Sequence, residues 1–274
     1  MPEYSIVIRL IYLTGRRNYM VNWGNVKIKI CINYEEMSSI AADLLENQIR
    51  EKKDSVVCFA TGSTPLLMYK KLIEKYNEGR IDFSDVTAFN LDEYYPIDKG
   101  NSQSYYHFMN ENLFSSINIK EDKRFIPNGQ TLDVNDECKI YDEKILEYGG
   151  IDFQILGIGR NGHIGFNEPQ DFFESATHMV ELKQDTIEAN ARFFDSLDEV
   201  PKNAITMGIK SIMMSQKILL LASGVDKAEA IYNAFFGPIT PQVPASVLQL
   251  HPNIAVLVDR DAFSEVNKRK GLKL

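Results

Sequence analysis

The chain has 274 residues, 44% of them apolar, and a formal net charge of −8 at neutral pH. That length supports one large domain with a sizeable core or two small ones, and the acidic balance argues against broad affinity for nucleic acid or an anionic membrane. An anionic ligand therefore needs a focused site.

Taken in order, Ser5 to Leu13 is apolar and is followed by Arg16 and Arg17, but it is too short to span a membrane and leads into no small-residue cleavage pattern. Residues 1–25 are expected to be an extension, disordered or loosely docked, with the catalytic domain at 26–274. Val26 to Ile32 alternates like a strand, and Asn33 can cap a helix over Tyr34 to Glu51. Ser55 to Phe59 reads as a buried strand, followed by a helix from about Thr64 to Tyr76 with Pro65 in its first turn. Further strands are predicted at Val86 to Asn90, Phe153 to Leu156, Ile218 to Ala222 and Ile254 to Val258. Helices are predicted over Ser102 to Leu113, Val134 to Glu147, about Ile205 to Met214, and Asp226 to Phe235. This alternation predicts an α/β fold: a single Rossmann-like open sheet, mostly parallel, with helices on both faces.

Three scattered cysteines, Cys31, Cys58 and Cys138, form no disulfide framework, and four histidines, His107, His163, His178 and His251, show no ligand spacing. These patterns predict a reducing, cytoplasmic setting with no metal and no cofactor. Composition leaves monomer and homo-oligomer open.

Ligands of open α/β sheets collect beyond the carboxyl ends of the strands. The unusual polar segments fall there. Gly157-Ile158-Gly159-Arg160-Asn161-Gly162-His163-Ile164-Gly165-Phe166-Asn167-Glu168-Pro169 combines a sharply turning backbone with an imidazole and a carboxylate, groups suited to proton transfer. Thr61-Gly62-Ser63-Thr64 offers hydroxyls and amides at a helix amino terminus, either for an anion such as phosphate or simply to cap the helix. It lacks the lysine of a Walker-type phosphate loop. Arg192 and Lys227 are candidate cationic partners. Asp92 and Glu93 follow a strand end; strand alternation would point them in opposite directions, one toward chemistry and one toward support.

Together, Ala60 to Pro65, Phe89 to Tyr94 and Gly157 to Pro169 closely resemble the glucosamine-6-phosphate deaminase family. Ala189 to Phe194, Ala204 to Ile209 and Pro244 to Ser246 resemble it too, so the likeness covers about residues 26 to 260. It implies an enzyme of amino-sugar (N-acetylglucosamine) catabolism that isomerises and deaminates glucosamine 6-phosphate with water to fructose 6-phosphate and ammonia, a ketol-isomerising deaminase of the hydrolase class. It implies that Asp92 moves the proton between carbons 2 and 1, and that His163, positioned by Asn161 and Glu168, assists ring opening. It also implies that Thr61, Gly62, Ser63, Arg192 and Lys227 hold the phosphate, without a metal or cofactor.

Two departures carry expectations. Many relatives have aspartate where this chain has Asn161, which shifts charge stabilisation toward Glu168. Allosterically activated relatives carry basic residues where this chain reads Thr177-His178-Met179-Val180, which implies weak or absent activation by N-acetylglucosamine 6-phosphate. Rival readings are a 6-phosphogluconolactonase-like hydrolase and a non-catalytic sugar-phosphate-sensing domain of a transcription regulator. The acidic Asp92-Glu93-Tyr94 segment and the His163 to Glu168 spacing favour the deaminase. The sensing domain would need a basic DNA-binding module, and none precedes residue 26. Glu181 to Val200 reads equally as a mobile lid or as an ordinary surface helix.

Overall fold

The computed structural model describes residues 7–13, 16–190, 196 and 199–272. Its strands are β1 (Val7–Leu13), β2 (Arg16–Trp23), β3 (Val26–Cys31), β4 (Val56–Phe59), β5 (Thr87–Asn90), β6 (Asp92–Tyr95), β7 (Arg124–Phe125), β8 (Phe153–Leu156), β9 (His178–Glu181), β10 (Asn203–Thr206), β11 (Lys217–Ala222) and β12 (Ile254–Asp259). Its α-helices are α1 (Tyr34–Glu51), α2 (Leu66–Asn77), α3 (Tyr105–Asn112), α4 (Val134–Glu147), α5 (Gln184–Asn190), α6 (Ile209–Met213), α7 (Ala228–Phe236) and α8 (Ser264–Lys270).

Among the described residues a nine-stranded sheet runs in the order β1-β2-β3-β12-β11-β8-β4-β5-β7. From β3 to β7 every neighbouring pair is parallel. The central strands β4, β5 and β8 are buried along their whole length, as strands covered on both faces must be. Helices flank this sheet, and α1 and α4 occupy the residues the sequence pattern predicts for them. Asn33 accepts from the Glu36 amide and Asp133 from the Asp136 amide, so a side-chain oxygen fixes each start.

Within the segment expected to be an extension, residues 1–6 and 14–15 lie outside the described residues, β2 pairs antiparallel with β3 from Tyr19↔Ile30 to Trp23↔Val26, and β1 pairs with β2. Val21 is fully buried. Without β2, one edge of β3 would present unpaired amides and carbonyls. The helix expected over Ile205 to Met214 is divided: residues up to Thr206 form β10, and only Ile209–Met213 is helical.

The division arises from a second, three-stranded antiparallel sheet in the order β6-β10-β9. It stands at the carboxyl end of the main sheet, because β6 begins two residues after β5 ends and the Met207 amide donates to the Leu91 carbonyl at 2.8 Å. A small core of Tyr94, Ile97, Phe166, Leu182 and Ala204 packs on it. The connection from β4 runs to β5 on one side, whereas the later main-sheet strands, β11 and β12, lie on the other side of β8. Strands β4 and β8 are adjacent, so the crevice between them is the topological switch point at which α/β sheets bind ligands.

Candidate active site

The loops after β4 and β8 open into one cavity of about 570 Å³. Its walls include Thr61, Gly62 and Ser63 from the first loop, Asn161 and His163 from the second, Asp92 from β6 and Lys227 from the turn after β11. Glu168 is buried directly behind His163. The expected site residues thus converge, apart from Arg192, which lies outside the described residues.

The Thr61 to Ser63 turn needs Gly62 at its positive φ of 88°, a conformation that side chains disfavour. It leads into α2, whose start has no side-chain cap and no acidic residue in its first turn. The cap position is taken by Pro65, which has no polar side chain to offer. Tyr34 braces the turn instead, its hydroxyl donating to the Ser63 carbonyl at 3.1 Å and accepting from the Leu67 amide at 3.2 Å. The dipole of a twelve-residue helix consequently faces the cavity without a competing carboxylate of its own.

Asp92 and Glu93 separate as strand alternation predicts. Glu93 turns away and accepts the amides of Tyr94, Tyr105 and Tyr106 at 2.8–2.9 Å, which anchors β6 to the start of α3. Burial pushes its carboxyl up to about 7 against the lowering effect of those amides. Asp92 faces the cavity but is itself 5% exposed. Burial first, and the neighbouring Glu93 second, push its carboxyl up to about 8.

The glycine loop seats the imidazole. A Cβ on Gly159 would lie 2.3–2.4 Å from three atoms of the His163 ring, so the ring rests against the bare glycine backbone. Gly165, at φ 57°, brings the loop over β6: a Cβ there would meet Thr206 Oγ1 at 2.8 Å and Asp92 Oδ2 at 3.5 Å. The Phe166 amide donates to that same Thr206 hydroxyl at 3.0 Å.

Behind His163, Glu168 Oε2 lies 3.5 Å from Nδ1, short of an aligned hydrogen bond. The same oxygen accepts Asn161 Nδ2 at 2.7 Å, while Oε1 accepts the Thr186 hydroxyl at 2.5 Å. Desolvation raises the Glu168 carboxyl, but His163, Thr186 and Asn161 outweigh it and hold the group below the usual range. Asn161 therefore acts as a donor, and the charge beside His163 belongs to Glu168.

Sequence reasoning missed several wall residues. Thr186 and Glu188 come from α5, Tyr105 from α3, and Arg160 from the glycine loop. Arg160 was visible within that loop; it pairs with Asp226 at 2.6 Å, joining the loop to the turn that carries Lys227. Thr186 gives no signal in the sequence, since its partner lies eighteen residues earlier.

Residues 34–256 match the family described as glucosamine-6-phosphate isomerases/6-phosphogluconolactonase. The chain belongs to this family. It is 54% identical over 244 residues to the glucosamine-6-phosphate deaminase of Clostridium botulinum strain Eklund 17B, a match covering 89% of this chain and 98% of the relative. The deaminase of Clostridioides difficile strain 630 is 53% identical with the same coverage. A solved structure described as a monomeric glucosamine-6-phosphate deaminase superposes with a TM-score of 0.85 at 46% identity, covering 87% of this chain and 99% of the other. The 6-phosphogluconolactonase of Thermotoga maritima shares the fold, with a TM-score of 0.66 at 20% identity over 86% of this chain and 99% of the other.

Proposed function

We propose that the chain converts glucosamine 6-phosphate and water into fructose 6-phosphate and ammonia. The observation that carries this reading is the arrangement around one cavity: a buried carboxylate, an imidazole backed by a second carboxylate, and an uncapped helix start with Lys227 nearby. The identity to named deaminases supports the same substrate.

The phosphate sits at the Thr61 to Ser63 turn, where backbone amides and the helix dipole favour an anion, with Lys227 and Arg192 as cationic partners. Anchoring there fixes the sugar and lowers the entropic cost of reaching the reactive geometry. His163 takes the proton of the anomeric hydroxyl and returns it to the ring oxygen, and the charge of Glu168 stabilises the imidazolium formed between the two steps.

Ring opening exposes an aldehyde beside the amine-bearing carbon. Asp92 removes the proton from carbon 2, leaving an enolamine, and returns it to carbon 1. Carbon 2 is then an iminium; water adds there and ammonia leaves, producing the ketone. A carboxyl held up to about 8 is a stronger base than an ordinary aspartate and still ionises near neutral pH. The net uptake of water places the reaction with hydrolytic deaminations, and the charged sugar phosphate is a substrate for the cytoplasm.

The test is to incubate the purified chain with glucosamine 6-phosphate and to quantify ammonia and fructose 6-phosphate, with 6-phosphogluconolactone as a parallel substrate. Equimolar ammonia and ketose are expected. Lactone hydrolysis without ammonia would replace this reading with the hydrolase.

The strand after the glycine loop, β9, carries Met179 and Val180 beside His178 and no lysine or arginine. Saturation curves are therefore expected to be hyperbolic, and N-acetylglucosamine 6-phosphate to change the rate by less than about twofold, since a coupling under ~0.4 kcal/mol corresponds to that factor. Strong cooperative activation would overturn this expectation.

A further inference from the structure

We propose that Thr186 is a positioning residue that fixes the orientation of Glu168 behind His163 and thereby ties α5 to the ring-opening apparatus. The proposal rests on the deaminase reading. Thr186 is 5% exposed and Glu168 4% exposed, so their hydrogen bond is made away from solvent, where a donor to a carboxylate counts most.

The arrangement around Glu168 shows what this bond does. Oε2 is turned toward Asn161 and His163, and Oε1 meets the Thr186 hydroxyl. A carboxylate held at one oxygen alone can pivot about its last bond, carrying the charge off the axis to the imidazole. Held at both, it keeps one plane. Asn161 cannot substitute for Thr186, because its amide competes with His163 for the same oxygen.

The second element of the proposal is where Thr186 comes from. It lies in the first turn of α5, its amide bonded to the Lys183 carbonyl at 2.9 Å, and the next residue, Ile187, packs on the small core that contains Phe166. Glu168 follows Phe166 by two residues. Thus α5 grips the end of the glycine loop twice, once through apolar contact and once through the hydroxyl. Thr186 and Glu188 also line the cavity, so a substrate that shifts α5 shifts the partner of Glu168 with it.

The test compares wild type with Thr186→Val, which keeps the shape and removes the donor, and Thr186→Ser, which keeps the donor. For ammonia release, T186V is expected to lower kcat by about 10- to 100-fold, the size of one hydrogen bond to a charged group, with KM within about threefold. The acidic limb of the kcat/KM profile should move to higher pH, because the hydroxyl stabilises the ionised form of Glu168. T186S should recover kcat to within about threefold. The His163 ring proton resonances, assigned by their loss in His163→Gln, give a readout that needs no turnover: the low-pH inflection that ionisation of Glu168 imposes on them should rise in T186V and return in T186S.

An unmoved inflection in a folded T186V protein, or equal losses in the Val and Ser variants, would overturn the proposal. If T186V fails to fold, Thr186→Ala takes its place under the same criteria, with T186S still required to recover kcat. A wild type that releases no ammonia would refute the deaminase reading alone, while the resonance comparison continues to judge Thr186.

Discussion

Asp92→Asn is expected to abolish most turnover, by about 10²- to 10⁴-fold in kcat, the usual contribution of a positioned general base. The substitution is nearly isosteric at a residue 5% exposed, so packing is preserved while the proton acceptor is lost. Binding should survive, because the phosphate turn at Thr61 to Ser63 belongs to another strand. Calorimetric affinity for a non-reacting sugar phosphate within a few-fold of wild type, beside the collapsed kcat, is the expected pair of results. Undiminished turnover would exclude Asp92 as the base.

The same variant carries a signed expectation for stability. The folded-state carboxyl is raised to about 8, chiefly by burial, whereas an unfolded aspartate titrates near ~4. Between those values the folded chain holds a proton that the unfolded chain has released, so this group's contribution to stability is present below pH ~4 and is lost as pH rises through about 8. Asparagine never ionises. D92N should therefore melt close to wild type at pH 5 and above it at pH 8, the gap widening with pH. A gap that narrows would show that Asp92 is ionised and well compensated in the folded protein.

Gly159→Ala is expected to impair catalysis without impairing the fold. The backbone at this position is not in the left-handed region, so alanine meets no conformational barrier; what it meets is the His163 ring at 2.3–2.4 Å. The ring must swing out of its seat. A displacement near 1 Å at a reacting group costs about 10²-fold, and a loss of that order in kcat/KM is expected. A double-mutant cycle isolates the cause: with His163→Gln already present, adding G159A should cost less than about threefold further. Full additivity would mean that Gly159 matters for some reason other than the imidazole.

Much of this was legible in the sequence, for local reasons. The Asn33 cap and the local patterns of α1 and α4 define helices within one window of residues, and the central strands are short apolar runs. The polar loops could be placed because each follows such a run. What escaped depends on partners far along the chain. β10 carries the apolar spacing of a helix start, but its partner is β6, more than a hundred residues earlier. Thr186 escaped for the same reason, as a threonine in a helix is ordinary until Glu168 is seen beside it.

The three-stranded sheet has a consequence for how such a site can vary. Asp92 is paired with Thr206 across β6 and β10, and Thr206 in turn holds the Phe166 amide three residues beyond His163. One residue, through its strand register and its hydroxyl, is thus the common datum from which the carbon base and the ring-opening group are both measured. Sliding β6 by a single residue would present Glu93 to the cavity and send Asp92 toward α3, exchanging the acid that reacts for the acid that holds. Loops around this sheet can lengthen or shorten freely, but the register of two four-residue strands works like the pin in a pair of scissors, and changes that leave it alone leave the blades meeting.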